Sequence, residues 1–282
     1  MAEECTHNCD TCSANCSSKN NGSFAPQKLE LSKNSKIKKI IGVSSGKGGV
    51  GKSFVTSLLA SGLTKKGYKT AILDADILGP SIPKSFGIIN DGIRVTDDNL
   101  MLPKETKTGI KIMSSNLLLS ADNEPIIYRG SLIAGVLQQF YTDTMWGDDI
   151  DYMFIDMPPG TGDVPLTTYQ SIPIDYVVIV SSPQGLVSMI VEKSINMAKK
   201  MNIPILGIIE NMSYVECPDC KKKIEIFGHS NMDEICKENN INLLAKLPLR
   251  EEYVEKVDNG NIEDIDIKEI DEALSSLEKL LK

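Results

Sequence analysis

The sequence predicts an α/β fold, a mostly parallel sheet with helices on both faces, preceded by a flexible cysteine-containing tail. Three observations point to it. From residue 37 onward, short apolar runs alternate with longer amphipathic stretches, the signature of buried parallel strands joined by covering helices. One junction, Gly46-Lys47-Gly48-Gly49-Val50-Gly51-Lys52-Ser53, is a glycine-rich loop set between an apolar strand and a helix. Other apolar runs end in Asp or Asn, at the strand ends where such sheets bind ligands. With 282 residues, 41% of them hydrophobic, the chain can bury a sizeable core. The expected division is a tail over residues 1–27 and one folded unit over 28–282.

The tail is rich in Asn, Ser and Cys and has almost no apolar residues to bury, so it reads as disordered in the absence of a ligand. It carries Cys5, Cys9, Cys12 and Cys16 in the spacing C-x3-C-x2-C-x3-C. Four thiols this close could complete a tetrahedral metal site or hold an iron–sulfur cluster. The alternative is an unligated tail with incidental thiols, and His7 reads as solvated.

The loop after the Ile40–Val43 strand has the G-x-x-x-x-G-K-[ST] spacing of a P-loop. Its glycines, from Gly46 through Gly48 and Gly49 to Gly51, let backbone N–H groups turn inward around phosphate oxygens, with Val50 between them. The following helix N-terminus adds a favourable dipole. Lys52 supplies a point charge to the outer phosphates, and the Ser53 hydroxyl is placed for Mg²⁺.

Thr70–Leu73 reads as a buried strand running into Asp74-Ala75-Asp76. Asp76 is a candidate to hold the metal's water shell or the attacking water, or else caps the segment after Pro80. Asp74 is the weaker candidate. Residues 87–127 suggest an added hairpin or edge strands at Ile93–Val95 and Ile110–Ile112. A helix through Leu132, Val136, Leu137 and Phe140 follows, ending before Trp146-Gly147. The strand Tyr152–Asp156 then closes on Asp156, where P-loop enzymes keep a Mg²⁺-linked acid. Met157 to Asp163 reads as a switch loop, with the Gly160 N–H as a candidate sensor of a γ-phosphate.

Strands at Tyr176–Val180 and Pro204–Ile209 flank a helix ending at Lys200. The second strand leads into Glu210-Asn211, and Asn211 is a candidate to hydrogen-bond a nucleotide base or to cap a turn. Next comes Cys217-Pro218-Asp219-Cys220, a C-x-x-C that fits a redox pair or half of a zinc or cluster site. Two thiols cannot complete a four-ligand site, but a two-fold axis would supply two more; the competing completion is by the tail cysteines. Cys236 reads as a small buried hydrophobe on a helix, and His229 as structural. A strand at Asn242–Leu247 and a helix from Glu251 precede a last helix, Ile267 to Leu281, whose apolar stripe indicates core packing rather than membrane docking.

A net charge of −8 without a basic patch argues against nucleic acid. No run of 18 apolar residues and no signal-peptide core is present, so no membrane role and a soluble, cytoplasmic protein are expected. In a reducing compartment, clustered cysteines read as metal ligands or redox groups.

The strings SSGKGGVGKS, DADILGPSIP, WGDDIDYMFIDMPPGTGD and IIENMSYVECPDC together resemble the Mrp/ApbC family of iron–sulfur cluster carrier ATPases, within the MinD-like P-loop NTPase superfamily. The resemblance runs from about Ile40 to Leu249. It implies Mg-ATP bound and hydrolysed at Gly46–Ser53, with Lys47, Lys52 and Asp76 serving catalysis and Asp156, Gly160 and Asn211 binding nucleotide. It implies that Lys47, the extra lysine of a deviant P-loop, reaches the nucleotide of a second subunit in a homodimer. It also implies that Cys217 and Cys220 of two subunits share a [4Fe-4S] cluster for delivery to recipient apo iron–sulfur proteins. The rival readings are a partitioning or positioning ATPase of the ParA/MinD type, and an NTPase with structural zinc at the cysteines.

Overall fold

The computed structural model describes residues 28–77, 79, 81–90, 92–118, 130–184 and 187–282, without the side chains of 130–132, 187 and 188. Cys5, Cys9, Cys12, Cys16 and His7 lie outside them, as does Pro80. The elements in chain order are β1 Ser35–Ser45, α1 Lys52–Lys65, β2 Thr70–Asp74, α2 Ile82–Ser85, β3 Lys104–Glu105, β4 Lys111–Ser114, α3 Gly130–Thr142, β5 Gly147–Asp156, α4 Asp163–Ser171, β6 Tyr176–Ser181, α5 Val187–Lys200, β7 Ile205–Glu216, β8 Lys223–Ile224, α6 Met232–Asn239, β9 Leu243–Pro248, α7 Glu251–Asp258 and α8 Asp271–Glu278.

The sheet runs β3-β4-β2-β5-β1-β6-β7-β8, with β9 also paired to β7. Every pairing is parallel except β3 with β4 and β7 with β8, at the two extremes. The centre is buried on both faces, so its strands are apolar almost throughout: all five residues of β2 and the last six of β1 are buried. One core lies under α1, α7 and α8, with Ile41, Leu59, Phe154 and Leu277. The other lies under α3, α4, α5 and α6, with Leu73, Phe140, Trp146 and Ile195. These are the expected layers.

Three boundaries differ from the sequence reading. β1 begins at Ser35, because Ser35 and Ile37 continue the pairing with β5. Of the two extra segments, Lys111–Ser114 becomes a full strand beside β2, because Ile112 and Met113 are wholly buried. Val95 is more than half exposed and makes only an isolated bridge to Met101. The last helix starts at Asp271 and ends at Glu278, with a 3₁₀ turn over Lys268–Ile270 before it. Its stripe does pack into the core: Ile270, Ala273, Leu274 and Leu277 are buried. A Cβ on Gly62 of α1 would come within 2.7 Å of Leu274, so that glycine lets α8 lie close.

Candidate functional site

The chain leaves the sheet at the C-terminal end of β1 and turns through Gly46–Gly51 into α1. Gly49 and Gly51 hold φ of 80° and 79°, a left-handed conformation that glycine adopts without strain. At Gly51 space is also limiting, since a Cβ there would sit 2.2 Å from Asn211 Nδ2. That amide donates to the Val50 carbonyl at 3.0 Å, so the end of β7 supports the loop from behind. Asn211 is buried and also lines a groove of about 380 Å³ with Gly49, Gly51, Phe54, Arg250 and Tyr253. The amide that the sequence suggested for base recognition or a turn cap is thus engaged with the loop itself, at the margin of an apolar slot.

Beside this groove, a cavity of about 340 Å³ is lined by Lys47, Gly48, Lys52, Ser53, Asp76 and Pro159, among others. Its floor is a charged cluster. Lys52 Nζ lies 2.8 Å from Asp156 Oδ1 and 3.7 Å from Asp76 Oδ2. Asp156 is wholly buried at the end of β5, and it accepts from Ser53 Oγ at 2.5 Å and Thr56 Oγ1 at 2.8 Å. Thr56, one turn into α1, left no mark in the sequence. Asp74, at the end of β2, accepts from Ser114 Oγ at 2.9 Å and from the Asp76 N–H at 3.1 Å.

Three carboxylates therefore converge on one lysine. Burial, then the neighbouring Asp156 charge, push Asp74 up to about 8, while Lys52 and the Ser114 hydroxyl pull the other way. Burial likewise raises Asp76, partly offset by Lys52. A polyphosphate–Mg²⁺ group fits this donor set: glycine backbone to surround oxygens, a buried ammonium, and a hydroxyl–carboxylate pair of the hard oxygen type that Mg²⁺ takes.

Two expectations look different in three dimensions. The Gly160 N–H, expected to face a γ-phosphate, donates to the Ser45 carbonyl at 2.8 Å, and the Met157 N–H donates to Val43 at 3.0 Å. The loop after β5 continues the edge of β1, so sensing through Gly160 requires that bond to open. Lys47, expected to reach across a dimer, hydrogen-bonds Gln184, three residues beyond β6 of its own chain. Gln184 carried no sequence signal for this contact.

The cysteine pair closes a tight hairpin between β7 and β8. The Lys221 N–H donates to Cys217 O, and the Cys217 N–H to Lys222 O, both at 3.0 Å. Cys217 is partly exposed and Cys220 exposed. Backbone N–H groups of Cys220 and Asp219 aim at the Cys217 sulfur and lower its pKa, favouring the thiolate that metals bind. Among the described residues, no group of three or more His, Cys, Asp or Glu is placed to hold a metal. Cys236 is buried on α6, and burial raises its thiol to about 11. His229 is not packed: its ring is largely exposed, 3.3 Å from Glu225.

Behind the hairpin, Glu210 is wholly buried and accepts from Ser213 Oγ at 2.5 Å and from Ser230 Oγ. It ties both feet of the hairpin together and was not evident from the sequence.

Comparison with known proteins identifies the family. Residues 36–281 match the family model described as NUBPL iron-transfer P-loop NTPase, a ParA group. A protein of Clostridium perfringens named iron-sulfur cluster carrier protein is 44% identical over 264 residues, covering 91% of this chain and 92% of its own. Another of that name, from Methanocaldococcus jannaschii, is 46% identical, with 91% and 89% covered. A nucleotide-binding protein from Archaeoglobus fulgidus, solved with ADP, superimposes with a TM-score of 0.73 at 42% identity, covering 82% of this chain and 90% of that one. The MinC:MinD complex of Aquifex aeolicus shares the fold, with a TM-score of 0.60 at 17% identity over 86% of this chain and 95% of that one. With its phosphate loop, buried acid–lysine cluster and exposed cysteine hairpin on one scaffold, the chain belongs to the NUBPL iron-transfer P-loop NTPase family.

Proposed function

We propose that the chain binds and hydrolyses Mg-ATP and carries a [4Fe-4S] cluster between two copies of itself, for transfer to apo iron–sulfur proteins. One observation carries this reading: β7 holds the phosphate loop through Asn211 and, six residues on, presents Cys217 and Cys220 to solvent. A nucleotide site and a two-thiol site thus share one strand.

Lys52 and Ser53 are the groups that would leave Asp156 for phosphate and Mg²⁺, with Asp156 then orienting the metal's ligands and Asp76 facing the same space. Mg²⁺ would neutralise charge on the phosphates. Lys47 would exchange Gln184 for the partner subunit's nucleotide. The cluster is cargo: two thiolates from each of two chains make four ligands of the type that holds it. The tail cysteines remain a candidate second site, for a cluster or zinc. The acidic charge of −8 does not suit a ParA-type DNA surface.

The test is anaerobic reconstitution with iron and sulfide, followed by absorption spectra, metal analysis and molar mass. Wild type should gain about four irons per dimer with broad charge-transfer absorption, and Cys217→Ser should not. Zinc uptake without a cluster would sink the carrier reading, and a full cluster in Cys217→Ser would move the site to the tail. Phosphate release from ATP, lost in Lys47→Ala and Lys52→Ala, checks the hydrolytic half.

A further inference from the structure

Arg250, the residue after β9 and Leu249, stands between the apolar groove beside the loop and the cysteine hairpin. It forms part of the groove wall with Phe54, Asn211 and Tyr253. Its Nη1 donates to Tyr253 Oη at 2.7 Å, and the guanidinium lies over that ring, 5.4 Å from the centroid. On its other edge, Nη2 is 3.7 Å from Glu216 Oε2 and 3.7 Å from Glu269 Oε1. Glu216 is the last residue of β7, immediately before Cys217.

The surroundings make this a braced junction. The Leu249 N–H donates to Tyr214 O at 2.8 Å, and Tyr214 Oη donates to Glu269 at 3.0 Å. Lys223, in the returning strand of the hairpin, sits 4.1 Å over the Tyr214 ring. The backbone beneath the hairpin is thereby fixed, while the Glu216 side chain is held by longer ion pairs. At 3.7 Å and about one-third exposed, the two carboxylates share Arg250 without either forming a tight hydrogen bond, so the guanidinium can shift its allegiance at small cost.

We propose that Arg250 is a positioning residue that transmits occupancy of the base groove to the Cys217–Cys220 hairpin through Glu216. The inference rests on the nucleotide-binding carrier reading above and adds its regulation. A base entering the groove meets the guanidinium and Tyr253, restricts where the guanidinium can lie, and so changes its hold on Glu216. The adjoining Cys217 then changes its presentation. Coupling of this kind needs two arrangements of one element that both sites bias; in this proposal they are Nη2 drawn to Glu216 and Nη2 drawn to Glu269, from each of which it stands 3.7 Å.

The experiment measures alkylation of Cys217 by iodoacetamide in the cluster-free full chain at fixed pH, resolved by peptide mass spectrometry, with and without Mg-ADP. Nucleotide affinity is measured on the same samples. Wild type should show a change of about fivefold or more in the Cys217 rate, the lower end of usual coupling. Glu216→Gln, which lies outside the groove, should bind Mg-ADP as wild type does yet lose most of that change. Arg250→Ala should lose it as well, and the double variant should lose no more than either single one. Arg250→Lys should restore part of it.

If wild type binds Mg-ADP and Cys217 reacts at the same rate, the inference fails while the nucleotide reading stands. If wild type binds no nucleotide, both fail. A full nucleotide response in Glu216→Gln overturns the role of the Arg250–Glu216 contact, even should Arg250→Ala prove unable to fold.

Discussion

At the scale of single residues, the phosphate site holds opposing charges in close balance. Asp74, Asp76 and Asp156 crowd one ammonium, and the outcome is a carboxylic acid at Asp74 that titrates near neutrality. The folded pKa lies above the unfolded one, so the native state binds the extra proton. Stability from this group is full at about pH 4 and is lost as pH rises towards about 8. In protein free of nucleotide and metal, Asp74→Asn should therefore melt several degrees above wild type at pH 8, with the gap closing towards pH 4. A gap that widens at acid pH would refute the assignment. Lys52→Met removes the cation from a wholly buried Asp156 and should destabilise the same form by about 3 kcal/mol in urea unfolding, besides abolishing nucleotide binding. An unchanged midpoint would show that the two hydroxyl donors, Ser53 and Thr56, satisfy Asp156 alone.

At the scale of elements, the two thiol environments among the described residues differ through the backbone. The β7–β8 turn directs N–H groups at Cys217, whereas α6 hides Cys236 under apolar neighbours. At pH 7.5, iodoacetamide should label Cys217 well before Cys236, by mass spectrometry of the folded chain; early labelling of Cys236 would mean that α6 opens. The same elements show what sequence can reveal. The phosphate loop, Asp156 and the C-x-x-C are local strings whose chemistry follows from spacing, and the apolar runs set the alternation of strand and helix. The contacts that complete the site are not local. Thr56 to Asp156, Lys47 to Gln184 and Asn211 to Val50 join residues 100, 137 and 161 positions apart. Arg250 was equally silent, because an arginine after Pro248-Leu249 acquires meaning only when Glu216 and Tyr253 are brought beside it. Boundaries such as Ser35 and Asp271 moved for a related reason, since pairing with β5 and packing on α1 decide them.

At the scale of the molecule, parallel order gathers the ends of β1, β2, β5, β6 and β7 on one side of the sheet, which places both candidate sites there. The chain carries a net charge of −8, and among the described residues no helix is long and apolar enough to cross a membrane. Duplex DNA should accordingly show no salt-sensitive binding in fluorescence anisotropy at 50 mM salt. Affinity falling by orders of magnitude between 50 and 200 mM would instead favour a partitioning role.

β7 is twelve residues long where its neighbour β6 is six. From Asn211 to Cys217 a fully extended chain would cover at most about 20 Å. Met212, in that interval, holds a left-handed φ of 56°, where the register with β9 also slips. The loop that Asn211 supports and the cysteine hairpin are thus set apart along one strand, with a bend between them. Any influence of one on the other has to pass through intervening side chains, as the Arg250–Glu216 contact would carry it.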